Sequence, residues 1–223
     1  MSIGIEKRNV LRLAGAQALF QTFSVMVMTI SGLVGLTMAP DKSLATLPIA
    51  MSMLAAAATM IPASLFMQHR GRKAGFLLGI SLGCLAGLLA AIAIWIGSFW
   101  LFVLANGLVG SYQAFAQYYR FAAADVASTA FKSRAISWVI AGGVVAAMAG
   151  PNIARVTQGI GPEPFAVSFL AMIALGLGAF WLVAGLEVPP AAATETAGHA
   201  RPMIEIMKQP VFLTALMGSV AMP

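Results

Sequence analysis

Long uncharged stretches alternate with short basic ones along this 223-residue chain. The uncharged runs cover residues 13–40, 43–68, 74–119, 135–154 and 164–186. Each reaches the about 20 residues that a helix needs to cross a bilayer, and the third is long enough for two crossings. Within it Gly97 and Ser98 part "AIWI" from "FWLF", which places a turn there, with Trp95 and Trp100 suited to an interfacial belt. The pattern predicts six helices, at residues 13–38, 44–67, 74–96, 99–124, 135–155 and 165–186. The expected fold class is an all-α integral membrane protein.

Composition agrees: 60% of residues are hydrophobic and 9% charged, with mean hydropathy +0.90, whereas soluble domains carry about 25% charged residues. A net charge of +6 would suggest a nucleic-acid partner in a soluble chain, but here the bases divide by side of the membrane. Lys7, Arg8 and Arg12 precede the first span; Arg70, Arg72 and Lys73 follow the second; Lys132 and Arg134 follow the fourth; Arg201 and Lys208 follow the sixth. Lys42 and Arg155 alone fall on the opposite side. The excess of bases on the cytoplasmic side of multi-pass proteins therefore places the N-terminus in the cytoplasm of an inner-membrane protein, with lipid rather than nucleic acid as its surroundings. The first run is too long for the apolar core of a cleaved signal peptide and reads as a retained helix.

The chain divides into a cytoplasmic N-terminus (1–12), a six-helix bundle (13–186), a Pro- and Ala-rich cytoplasmic linker (187–210) and the start of a seventh helix (211–223). That last run spans roughly 20 Å as a helix, short of the ~30 Å hydrocarbon core, and reads as truncated.

Two helices carry polar stripes. The fourth has Asn106, Gly110, Gln113, Gln117 and Arg120 at three- and four-residue steps, which places them on one face. The first has Gln17, Gln21 and Ser24. Polar groups facing lipid are costly, so these faces must look at a cavity or another helix. Two amide-rich faces suit a water-accessible path for an uncharged or mixed-polarity solute; interhelical hydrogen bonding is the alternative for each residue. Arg120, about 20 residues into its helix, falls near the cytoplasmic boundary, where it can pair with Asp125 or snorkel to headgroups. In the third span Gly75, Gly79, Gly83 and Gly87 recur every four positions, which suits close helix packing more than ligand contact.

Other chemistry is poorly supported. His69 and His199 both fall in loops, which leaves no buried Ser-His dyad, and neither HExxH nor a phosphate-cradling GxxxxGK[ST] occurs. No enzyme, metal or cofactor is expected. The lone Cys84 excludes an intrachain disulfide. No carboxylate lies deep in a span, so the coupling group of any proton-driven cycle lies outside this chain.

The turn between helices two and three, "SLFMQHRGRKA", resembles the pattern G-x-x-x-D-[RK]-x-G-x-[RK]-[RK] of the major facilitator superfamily. Gly71 stands for the central glycine and Lys73 for the first closing base. Ser64, Gln68, His69 and Ala74 depart from it. In that family the Asp contributes to a charged latch for alternating access, and Gln68 occupies its place here; Arg70, Arg72 and Lys73 remain to anchor the turn at an anionic leaflet. "GGVVAAMAGPNIA" in helix five is similar to the family's G-x-x-x-G-P-x-x-G, keeping Gly150 and Pro151, which the resemblance makes a helix bend. The stretch "YYRFAAADVASTAFKSRAISWVIAGGVVAAMAGP" also looks like a bacterial subset of these permeases that includes proposed riboflavin importers.

The resemblance implies the N-terminal six-helix half of a secondary transporter for a small organic solute, riboflavin or another vitamin-like metabolite, partnered by a second six-helix half or a second copy. The alternatives are a drug or metabolite exporter, or a membrane scaffold without transport activity. If the chain is half of a transporting unit, purified monomer in liposomes should show little or no transport; saturable solute uptake by it would overturn that expectation.

Overall fold

The computed structural model describes residues 3–160 and 162–187. The greater part of the expected linker and the incomplete seventh helix lie outside the described residues. Those described form seven α-helices that make six crossings: α1 (Ile3–Met38), α2 (Leu47–Arg70), α3 (Arg72–Trp95), α4 (Phe99–Ala116), α5 (Tyr119–Val126), α6 (Lys132–Thr157) and α7 (Ala166–Ala184). The protein is all-α and multi-pass.

Most helix ends lie within three residues of the sequence pattern, a shift that carries His69 from the expected loop into the last turn of α2, and two boundaries differ more. α1 begins ten residues earlier than its apolar run, because its first turns are held by partners rather than by lipid. Glu6 accepts hydrogen bonds from the Ser128 N–H at 2.6 Å and hydroxyl at 2.8 Å. Asn9 donates to the Glu187 carbonyl at 2.8 Å and accepts from the Glu187 N–H at 3.2 Å. The fourth crossing is two helices, α4 and α5, parted by a tightened turn at Gln117 and Tyr118 in which the Tyr118 N–H reaches the Phe115 carbonyl. The adjacent tyrosines explain it: Tyr118 donates to the Met60 carbonyl of α2, while Tyr119 is buried against Phe76 of α3.

α1 runs through the centre, packing on α6 and α7 along its length and on α5 near its start; α4 lies between α2 and α3, and α3 also packs on α7. The seams are built on small residues, as expected where lipid gives no hydrophobic drive for helices to associate. The four glycines of α3 are all buried, and a Cβ on each would strike a different neighbour in turn: Met67 of α2, Phe115 and Tyr112 of α4, then Phe169 and Ile173 of α7. Over Gly83 the Tyr112 ring is wedged edge-on between Phe20 and Phe23 of α1, at 5.1 and 5.4 Å. α6 stays helical through Gly150 and Pro151, and Gly150 lies against Thr22 and Val25 of α1. α2 and α6 are the least covered crossings, with Met53, Leu54 and Ile61 of one and Val144, Val145 and Met148 of the other exposed.

The turns are stiff. Gly71 closes α2 and opens α3 with φ +85°, a backbone that only glycine adopts at little cost. At the opposite end, Asp41 accepts from the Ser43 N–H at 2.9 Å ahead of a short 3₁₀ turn, and the Ser43 backbone and side-chain hydrogen bonds hold its carboxyl below the usual range.

Gly110 is the tightest test of this packing, since a Cβ there would lie 2.0 Å from the Ser52 backbone carbonyl of α2. Gly110→Ala should destabilise the bundle by about 1–3 kcal/mol in reversible unfolding from mixed micelles. Gly107→Ala, where the nearest atom is the Met51 methyl at 3.9 Å, should be neutral or mildly stabilising, because it only removes backbone freedom from the unfolded chain.

Candidate functional site

The stripes on α1 and α4 face each other and form a ladder of polar pairs. Deepest, Ser31 donates to the Asn106 side-chain oxygen at 2.9 Å, and the Asn106 amide donates to the Phe102 carbonyl at 2.9 Å. Both residues are fully buried. Asn106 therefore joins two helices instead of facing open space. One step further along, Gln113 donates to the Ser24 hydroxyl at 3.2 Å, and both side chains are half-buried. Further still toward the end that carries Arg12 and Lys73, the ladder opens. Gln17 and Gln21 of α1, Gln117 in the turn after α4 and Arg120 of α5 line one cleft of about 190 Å³.

Val139 and Ile140 of α6 complete its wall. They carry no chemical signature, and nothing in the sequence distinguishes them from other apolar residues of a crossing. Three amides that both donate and accept, a guanidinium that only donates and an aliphatic wall give a surface suited to the polar edge and apolar face of a flat organic molecule. A larger groove of about 310 Å³ between α3 and α7, at the opposite end, is almost wholly apolar apart from Glu163. It has too few convergent polar groups to orient a solute.

The charged turn is only partly as expected. Gln68, His69 and Arg70 are exposed, whereas Gly71, Arg72 and Lys73 are half-buried and face the bundle. Arg72 pairs with Asp125 of α5 at 2.5 Å. Of the two placements open to Arg120, pairing with Asp125 is not formed, and its guanidinium lies over the Phe121 ring at 5.1 Å and lines the cleft. Five residues apart on α5, Arg120 and Asp125 point about 140° away from each other around the helix, whereas Arg72 comes from another helix, a proximity invisible along the chain. Lys73 donates to the Leu186 carbonyl at 3.1 Å, Arg12 donates to the Gly185 carbonyl, and Arg8 pairs with Glu187. Three basic side chains from two helices thus gather at the C-terminal end of α7, where the helix leaves unpaired carbonyls and negative partial charge. Each base does local structural work beyond marking topology.

Fold and cleft together define a multi-pass α-helical membrane protein with one open polar recess between its first, fourth and fifth crossings. In comparisons with known proteins, the chain is 38% identical over 217 residues to the riboflavin transporter RfnT of Brucella anthropi. The match covers 96% of this chain and 54% of that relative, so the chain spans about half the length of the protein it is similar to. No family model and no solved structure matches it.

Arg72 and Asp125 are 29% and 49% exposed, so their attraction is well screened. A double-mutant cycle of Arg72→Ala and Asp125→Ala should give a coupling of about 0.2–1 kcal/mol. The same cycle between Arg120 and Asp125 should give none, and a sizeable Arg120 coupling would show that the pairing is otherwise.

Proposed function

We propose that this chain forms the first six-helix unit of a secondary transporter of the major facilitator type, which carries riboflavin or a vitamin-like solute of similar chemistry across the cytoplasmic membrane. The observation that supports it is the convergence of Gln17, Gln21 and Gln117 on one recess, in a chain similar along nearly its whole length to part of a riboflavin transporter. Riboflavin offers a flat apolar ring system, a carbonyl-rich edge with one N–H and a hydroxylated tail. Amides can both donate to and accept from such groups, and Val139 and Ile140 offer a surface for the ring face.

The cleft's size bears on the mechanism. At about 190 Å³ it is smaller than the roughly 300–1,000 Å³ of a complete ligand pocket. It therefore supplies one wall of the site, and a second six-helix unit supplies the other. In this reading the poorly covered faces of α2 and α6 meet that unit, and alternating access is the rocking of one unit against the other around a shared site. The distribution of bases sets the cleft's end of the bundle toward the cytoplasm.

A chimera in which this chain replaces its aligned counterpart in the Brucella transporter tests the proposal in cells that cannot make riboflavin. It should restore growth on added riboflavin. A chimera that reaches the membrane in normal amounts and takes up none would refute the reading. Within a working chimera, Gln17→Leu, Gln21→Leu and Gln117→Leu should each raise KM for uptake by roughly three- to tenfold, the effect of losing one hydrogen bond. Asn106→Leu should instead lower the amount of folded protein and leave KM unchanged.

A further inference from the structure

We propose that Arg120 sets the charge class of the solute, so that the cleft takes neutral or anionic molecules presenting a pair of hydrogen-bond acceptors on one edge and turns away organic cations. The proposal rests on the reading of this cleft as a solute site and extends it to specificity.

Arg120 is exposed on the cleft wall beside three neutral amides. Among the described residues no carboxylate pairs with it. The described acidic groups at its end of the bundle are engaged elsewhere: Glu6 by Ser128, Asp125 by Arg72 and Glu187 by Arg8. Asp41 and Glu163 lie in the turns at the other end. Among the described residues, the cleft therefore holds one positive charge without an acidic partner.

Its hydrogen-bonding capacity is as lopsided as its charge. A guanidinium has five N–H donors in a planar fork and no acceptor, whereas each amide balances two donors against two acceptor lone pairs, so the excess of donors comes from Arg120. A fork of this kind binds best to two acceptors side by side, such as a carboxylate or adjoining carbonyl oxygen and ring nitrogen. The Arg120 guanidinium lies over the Phe121 ring at 5.1 Å, and among the described residues its N–H groups have no hydrogen-bond acceptor in the fold. A cationic solute would meet repulsion from Arg120 and find no acceptor on it. Specificity of this kind comes from the penalty on the wrong molecule as much as from attraction for the right one.

The test reads the charge of the cleft directly, using the whole chain in nanodiscs. In a Cys84→Ala background, Gln117→Cys places a thiol on the cleft wall. It is then modified by a sulfonate-bearing and by a trimethylammonium-bearing methanethiosulfonate of similar size. The anionic-to-cationic rate ratio, normalised to a free thiol, should be about tenfold higher with Arg120 than with Arg120→Gln, and Arg120→Lys should keep it high. An unchanged ratio in Arg120→Gln, as when a lipid phosphate already neutralises the guanidinium, would overturn the proposal whether or not the chain carries riboflavin.

The second arm measures riboflavin uptake by the chimera. A raised KM in Arg120→Gln, with normal amounts in the membrane, supports the assignment; an unchanged KM removes Arg120 from solute reading. A charge-selective cleft in a chimera that carries no riboflavin even with Arg120 would leave the charge class standing and refute the riboflavin reading alone.

Discussion

Hydrocarbon offers a polar side chain no partner, and the arrangement of α1 against α4 follows from that constraint. A hydroxyl or amide carried into the bundle is costly unless it is matched inside or opens onto water, and the buried Tyr112 and Tyr119 hydroxyls are the unpartnered exceptions among the described residues. Deep in the bundle, Ser31 and Asn106 satisfy each other; one step out, Ser24 and Gln113 do so more loosely. Nearer the basic end the matching stops. Gln17, Gln21, Gln117 and Arg120 face a recess and not one another. The same chemistry that fastens the helices at one depth becomes available to a visitor at another. A single stripe can therefore be structural and receptive by turns.

That distinction limits what can be read along the chain. The six crossings are legible because the bilayer imposes a length and excludes charge, and the spacing of glycines in α3 announces a packing face. The stripes on α1 and α4 are equally visible, since helical periodicity alone puts Gln113, Gln117 and Arg120 on one side. Whether a given amide has a partner depends on the opposite helix, so Asn106 and Gln117 look alike in sequence and differ in the fold. The break at Gln117 and Tyr118 is hidden for a similar reason. Neither glycine nor proline marks it, and it accompanies two adjacent tyrosines held by separate helices, Tyr118 by a hydrogen bond to α2 and Tyr119 by packing on Phe76 of α3. Ends of elements are also poorly marked where the holding groups are distant, as with Glu6 and Ser128 or Asn9 and Glu187.

Helix contact in this bundle is controlled by what is missing from the side chains. The glycines of α3 hand that helix from α2 to α4 to α7 along its length, and Gly110 brings α4 onto the backbone of α2. Because these seams are close-packed, α1 through α4 are held in a narrow set of positions, which fixes the polar pairs at their different depths. The contrast with α2 and α6, whose outer faces keep large apolar residues uncovered, makes the bundle asymmetric. The difference is one of degree, since Leu85 of α3, Leu104 of α4 and Trp181 of α7 are exposed too.

The turn at Gly71 carries a consequence for the order in which the protein is made. A hairpin of two crossings enters the membrane with its bases still free to hold it to one side. Arg72 finds Asp125 only when the fourth crossing has been synthesised, and Lys73 finds the Leu186 carbonyl only when the sixth has. The residues that orient the chain early are thus reused as fasteners later, each waiting for a partner that emerges farther along. Assembly at this end closes in the order of translation, and the sixth crossing is secured by charges that entered the membrane with the first and the third.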